Sequence, residues 1–255
     1  MARRSMSPDE EFVPERLRPY MHHSHEDFWV SRCFQPLYLA LIMYEGFLPI
    51  ATQQARTVYL LPKLHMERCI LDPATFHISK SVRKKAKEYT LKFNTAFDAV
   101  VHGCHEQHGV AWLYPEVVQG FRGLLPGVTV SDQGHQVRLH SVELWRGDVL
   151  VAGELGYTNG AMYTSLTGFV QPGASGAGTM QLQALGSYLH VHGFLVWDLG
   201  MSMEYKLHMG AIDVPRPTFV AMVRELRSAQ VAMPGHDVNA RTIMDAHIAT
   251  TDRQH

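Results

Sequence analysis

The sequence is poor in cysteine, nearly free of net charge and without a long apolar run. It has 3 cysteines in 255 residues. Cys33, Cys69 and Cys104 are odd in number and form no C-x-x-C pair, which argues against a disulfide-stapled scaffold or a zinc ribbon and fits a reducing compartment. A net charge of −1 gives no polyanion signal for the surface as a whole, so any nucleic-acid contact must come from a local patch. No apolar stretch approaches the roughly 18 residues of a membrane span. The opening Met1-Ala-Arg-Arg-Ser-Met-Ser-Pro-Asp-Glu-Glu lacks the apolar core of a secretory signal. A cytoplasmic chain with no membrane partner is therefore expected. No Gly-x-Ser-x-Gly elbow is present, which sets aside a serine hydrolase. Histidine is abundant, at 16, but scattered. His22, His23 and His25 lie in a polar N-terminal segment, and His190 and His192 fall on one expected helix. None has metal-site spacing, and no metal is expected.

What is present is enough apolar residue, 46%, for one large domain or a small one joined to a medium one. Residues 1–25 are charged and Pro-containing and read as loosely ordered. From Phe34 to Tyr44 the apolar spacing predicts a helix closed by Gly46. Val58–Pro62 and Met66–Leu71 read as strands. Residues 79–88 form a short basic helix that Ser79 or Ser81 can cap. Tyr89–Asn94 reads as a strand, and two helices follow, one from Thr95 and one after Pro115. Gly127–Gln136 is an expected loop. Met162–Val170 alternates as a strand, a glycine-rich loop follows at 171–178, and Thr179 can cap the next helix. Phe194–Leu199 reads as a buried strand, Thr218–Ala229 as a helix, and 234–255 as a polar tail.

The most informative stretch is His140 to Gly160. Apolar and polar residues alternate on both sides of Arg146-Gly147-Asp148, the pattern of a β-hairpin over Val137–Val142 and Val149–Tyr157 with a short Gly-Asp turn. Glu154 then falls in a strand that is expected to be buried, where an unpaired charge is costly. The consecutive strands of 137–170 must be antiparallel, while strand–helix–strand over 162–199 can give a parallel pair by a right-handed crossover. The expected fold class is α/β (α+β), a mixed sheet flanked by helices, in the element order of acetyltransferase-type (GNAT-like) folds.

A set of short motifs occurs in order along residues 37–225: Tyr44-Glu-Gly-Phe-Leu-Pro49, His77-Ile-Ser-Lys-Ser81, Asn94-Thr-Ala-Phe97, Val101 to Cys104, Trp112, His140-Ser-Val-Glu-Leu-Trp145, Leu150-Val-Ala-Gly153, Gly156, Asp198 and Leu207-His-Met-Gly-Ala211. In these the chain resembles leucyl/phenylalanyl-tRNA–protein transferases, which move an amino acid from aminoacyl-tRNA to a protein N-terminus and so feed N-degron degradation. The resemblance implies a small N-terminal domain (26–75) on a GNAT-like domain (76–233), aminoacyl-tRNA and protein N-termini as partners, no cofactor, and a monomer.

Carried over by position, the resemblance makes Asp198 the catalytic carboxylate that orients the attacking amine or relays its proton; the alternative is a turn or capping aspartate. Trp112 and Ile50 fall where the family holds the terminal adenosine, although Ile50 replaces an aromatic residue; Trp112 reads equally as a core anchor. Lys80, Arg83, Lys84, Lys85 and Lys87 match a run that holds the tRNA acceptor stem, the alternative being a solvated helix face. The donor side-chain pocket would be formed by Glu154, Tyr163, Leu166 and Phe169. Tyr205 and Lys206 could hold an acidic acceptor, or simply lie on the surface.

The departures are informative. Leu166 stands at the family's pocket glutamate and Gly200 at a glutamine. Ser165-Leu-Thr-Gly-Phe169 replaces Gly-Glu-Ser-Met-Phe, and Ala174-Ser175-Gly176 replaces Ala-Ser-Lys. Glu154 stands where the family has an apolar pocket residue, so a cationic donor such as arginine is expected to suit it better than leucine or phenylalanine. The competing expectation is that Glu154 pairs inside the fold with an internal Arg, Lys or Tyr, for instance Lys206 or Tyr205. Two other functions fit parts of the pattern. One is an acyl-CoA-dependent N-acyltransferase using Gly173-Ala-Ser-Gly-Ala-Gly178 as an anion loop. The other is an inactive homologue that binds tRNA or N-termini.

Overall fold

The computed structural model describes residues 24–253. Residues 1–23 of the expected N-terminal segment, with His22 and His23, lie outside the described residues. Helix α1 (Pro36–Tyr44) is apolar on almost all sides and buries Leu39, Ala40, Ile42 and Met43. It ends as its sequence predicts. Gly46, at φ 88°, takes the left-handed position, while Gly46 N–H and Phe47 N–H donate to the Met43 and Ile42 carbonyls. An antiparallel hairpin follows, β1 (Leu48–Gln54) and β2 (Thr57–Lys63).

The remaining strands, with β5 paired at the side of β6, make one nine-stranded sheet. In chain order the elements are β3 (Glu67–Leu71), α2 (Lys80–Lys85), β4 (Tyr89–Phe93), α3 (Phe97–His108), α4 (Pro115–Arg122), β5 (Val128–Thr129), β6 (Gln136–Arg146), β7 (Val149–Asn159), β8 (Met162–Val170) and α5 (Ala177–Val191). Then come β9 (Val196–Gly200), α6 (Glu204–His208), β10 (Ile212–Pro215), α7 (Arg216–Leu226), β11 (Val238–Asn239) and α8 (Ala240–Thr251). The strands lie in the order β10-β3-β9-β8-β7-β6-β4-β11. Every pairing is antiparallel except β8 with β9, the pair joined by the α5 crossover. The mixed sheet flanked by helices is the expected fold class. β3 lies within this sheet, between β9 and β10.

Two apolar cores hold the layers together. One gathers Leu39, Ile42, Val100, Val117, Phe121, Leu139, Tyr157 and Phe219; the other gathers Leu91, Leu144, Tyr163, Leu185, Leu189, Trp197 and Met244. Among the described residues no helix is long and apolar enough to cross a membrane.

Five local expectations need correction. The expected loop Gly127–Gln136 carries the two-residue strand β5 and the first residue of β6, which pair with each other. The hairpin strands are longer than predicted, because β6 runs on through buried Glu143 to Arg146. The turn Gly147-Asp148 is as read, with Gly147 at φ 57°. Helix α5 starts two residues before Thr179, from Gly176 at φ 81°, so Thr179 is not its cap. Ser79 stands at the N-cap of α2 but spends its hydroxyl on Ser81, 2.8 Å away, rather than on the helix backbone. The segment read as a polar tail carries α8. Asn239 caps this helix by accepting from Arg241 N–H at 3.0 Å. Its buried stripe of Ala240, Ile243, Met244 and His247 packs on α5. Three of these four positions are alanine, methionine and histidine, which is why the stripe is faint in the sequence.

Candidate active site

Strands β8 and β9 pair only over Met162–Thr164 and Val196–Asp198. Beyond Thr164, β8 runs on to Val170 while β9 turns away at Gly200, which sits at φ 73°. A cleft of about 600 Å³ opens there, floored by Gly153 and Glu154 of β7 and by the second half of β8. The start of α5 walls one side; Leu199, Met203, Tyr205 and Lys206 wall another; Gln107 and His108 of α3 stand at the rim. Of the expected donor pocket, the cleft brings together Glu154, Leu166 and Phe169. Tyr163 lies beneath, fully buried.

Glu154 is 6% exposed. Its Oε1 accepts two hydrogen bonds, from Tyr163 Oη at 3.0 Å and from Ser165 Oγ at 2.8 Å. Trp197 Nε1 donates to the same Ser165 hydroxyl at 2.9 Å and so fixes its orientation. Gly156 makes room for this arrangement, since a Cβ there would stand 2.2 Å from Tyr163 Oη. No hydrogen bond to Oε2 and no ion pair to Glu154 exists among the described residues. The internal partners are therefore Tyr163 and Ser165; the competing expectation of an internal tyrosine holds, with Tyr163 in place of Tyr205 or Lys206. Burial pushes the Glu154 carboxyl up to about 7, against the opposing pull of the Ser165 and Tyr163 hydrogen bonds and of the Lys206 charge.

Lys206 Nζ donates to the Leu199 and Met201 carbonyls at 2.6 and 2.7 Å. Burial lowers its pKa, and Cys69, Asp198 and Glu154 push it back. Tyr205 lies at the mouth, 47% exposed.

Asp198 does not line the cleft. It is 0% exposed and saturated. Oδ1 accepts from Arg68 Nε at 2.7 Å and from Gly200 N–H at 2.9 Å; Oδ2 accepts from the other arm of Arg68 at 2.8 Å and from Thr164 Oγ1 at 3.0 Å. Arg68, equally buried, also lies over the Phe219 ring at 4.5 Å. Nothing in the sequence flagged Arg68 as the partner, because 130 residues separate the two.

Two of the motifs prove to be partners of each other. Asn94, at φ 60°, donates its N–H to the Ser141 carbonyl, and its side chain accepts from Ser141 N–H at 3.0 Å and reaches His140 Nδ1 at 3.3 Å. Glu143 accepts from Thr95 N–H at 3.0 Å, Ala96 N–H at 2.8 Å and Ser141 Oγ at 2.7 Å, and also binds the Thr95 hydroxyl. Its charge therefore satisfies free N–H groups leading into α3. His140 is buried, which drives its pKa down to about 3, and its neutral ring bridges Asn94 and Thr158. These residues hold α3 on the sheet and do not reach the cleft.

Trp112, at φ 59°, is half-buried and meets Phe121 edge-on at 6.4 Å. Ile50 is half-buried in β1. Neither lines the cleft. The basic run forms α2 and the turn after it, with Lys80, Lys84, Lys85 and Lys87 exposed. Arg83 is different, as its Nε binds Asp245 of α8 at 2.6 Å, and Asp245 also takes Arg241.

A transferase from Citrobacter koseri, described as leucyl/phenylalanyl-tRNA–protein transferase, is 28% identical over 179 residues, 69% of this chain and 71% of that protein. Enzymes of the same description from Pectobacterium carotovorum and Edwardsiella ictaluri are 29% and 31% identical, covering 64% and 65% of this chain and 67% and 65% of theirs. The family model for leucyl/phenylalanyl-tRNA protein transferase matches residues 70–224, from β3 through α7 and across the whole cleft. The chain belongs to the leucyl/phenylalanyl-tRNA protein transferase family.

Proposed function

We propose that this protein moves an amino acid with a cationic side chain, arginine being the best fit, from aminoacyl-tRNA to the N-terminal amine of a protein, and that it acts in the cytoplasm to create N-degrons on a GNAT-like scaffold. The observation that carries the donor assignment is Glu154. It is an acid on the cleft floor with one oxygen hydrogen-bonded inside the fold and, among the described residues, no countercharge in ion-pair reach. A guanidinium entering the cleft supplies that countercharge, whereas a leucine side chain gives the carboxylate no countercharge and favours its protonated form.

In this reading Leu166 and Phe169 pack the methylene stem, while Tyr163 and Ser165 orient the carboxylate. Asp198 acts as a positioning residue, since it holds the carboxyl end of β9 through Arg68, Thr164 and Gly200 rather than touching the reacting atoms. Exposed Tyr205 meets the acceptor, and Trp112 with Ile50 is assigned to the terminal adenosine. The exposed lysines of α2 take the acceptor stem. The ester is already activated, so placing the amine at near-attack distance supplies much of the rate.

The test is transfer from tRNA charged with radiolabelled arginine, leucine or phenylalanine to a peptide acceptor. Arginine transfer is expected to exceed leucine transfer by on the order of 10–100-fold, the worth of one charge-assisted contact, and Glu154→Leu is expected to reverse the order. Transfer of leucine without arginine overturns the donor assignment.

A further inference from the structure

Among the described residues, Lys206 has a donor left over. An ammonium carries three N–H groups, and two are spent on the Leu199 and Met201 carbonyls at 2.6 and 2.7 Å. Those carbonyls anchor the nitrogen at the carboxyl end of β9, where β8 and β9 part. The side chain is half-buried and lines the cleft. It faces the same space as Glu154, yet the two are not in ion-pair contact. The cleft thus presents an acid and a fixed ammonium set apart from each other, an arrangement that fits a ligand with a cation at one end and developing negative charge at the other.

We propose that the third N–H of Lys206 hydrogen-bonds the ester carbonyl oxygen of the bound aminoacyl group and holds the oxyanion formed when the N-terminal amine attacks. This rests on the transferase reading and deepens it. The amine lone pair forms the new C–N bond, and the carbonyl π pair moves onto oxygen. The tetrahedral species then collapses, the bond from carbon to the ribose oxygen breaks, and that oxygen leaves with the proton given up by the amine. The products are an amide and a free ribose hydroxyl. A donor already fixed by two carbonyls needs no reorganisation as the charge develops. The same tethering argues against the expected role of Lys206 in holding an acidic acceptor, because the more exposed Tyr205 lies closer to solvent.

The test uses two uncleavable adenosine-linked analogues of the donor, one with a planar amide in place of the ester and one with a tetrahedral anionic phosphonate. Lys206→Met is expected to weaken phosphonate binding by roughly several hundred-fold, in line with loss of one oxyanion donor, and amide binding by only about tenfold, the lower end for a hydrogen bond from a charged donor to a neutral carbonyl. Single-turnover transfer is expected to fall in parallel with the phosphonate. Lys206→Arg is expected to restore part of the phosphonate affinity. Retained amide binding shows that the variant is folded; if it is lost, the Lys206→Arg comparison decides. Equal weakening of both analogues, or an unchanged phosphonate affinity, overturns the proposal. If neither analogue binds the unaltered protein, the transferase reading falls and takes this one with it. If amides with leucine and arginine side chains bind alike, only the Glu154 assignment falls.

Discussion

Arg68 and Asp198 form a two-pronged ion pair, at 2.7 and 2.8 Å, in which neither side chain is exposed. Removing one partner from such a pair costs about 3–5 kcal/mol, because the other charge stays buried. Asp198→Leu is expected to lose that much in denaturant unfolding, and Arg68→Met combined with Asp198→Leu is expected to recover most of it. An Asp198→Leu protein that unfolds at the original midpoint would show that the aspartate is held for chemistry rather than for the fold.

The Glu154 carboxyl links stability to pH. Its folded pKa, about 7, lies above its ordinary 4.5. The folded state therefore binds the proton more tightly, and the stability it contributes is fully present below about 4.5 and lost as pH rises towards 7. Glu154→Gln is expected to flatten that fall in melting temperature between these limits. Parallel curves for the two proteins would refute the assignment.

Gly156→Ala places a Cβ 2.2 Å from Tyr163 Oη and 2.7 Å from the Thr164 carbonyl. Because the second neighbour is backbone, the strand itself must shift, at a cost of roughly 1–3 kcal/mol. The Tyr163–Glu154 bond is expected to go with it, and discrimination between arginine and leucine donors to narrow. Donor competition assays together with thermal melts check both effects.

The five basic residues of the run divide into two kinds. Lys84→Ala, Lys85→Ala and Lys87→Ala are each expected to reduce the salt dependence of tRNA binding by roughly one in log–log slope, with melting unchanged. Arg83→Ala is expected to loosen α8, because its guanidinium is bound to Asp245; faster amide exchange in Ala240–Thr251 is the readout. Equal salt slopes for all four variants and the original would remove α2 from the tRNA surface.

Period-2 alternation and two-residue turn chemistry made the hairpin and β8 readable, and the strand–helix–strand spacing made the parallel pair readable. The apolar run of α1 and its glycine stop were equally plain. Tertiary context set the rest. Glu143 continues β6 because N–H groups 47 and 48 residues away satisfy it, which no local pattern encodes. Helix α8 is stabilised by packing on α5 rather than by a strong apolar stripe of its own. Of the candidate site, Glu154 was visible because a charge interrupts a buried strand. An internal tyrosine partner was expected, but which hydroxyls reach Glu154, those of Tyr163 and Ser165, was hidden, since register across β7 and β8 decides that. Asp198 was visible as a motif residue, but its saturation by Arg68 was not.

The span shared with the family ends at residue 224, while α8 begins at Ala240. Asp245 nevertheless grips Arg83, inside the shared span, and Arg241 donates to the Arg83 carbonyl. A segment beyond the common region thus steadies the lysine-bearing helix from behind. Substitutions in α8 can therefore shift the position of the lysine-bearing helix without altering any wall of the cleft.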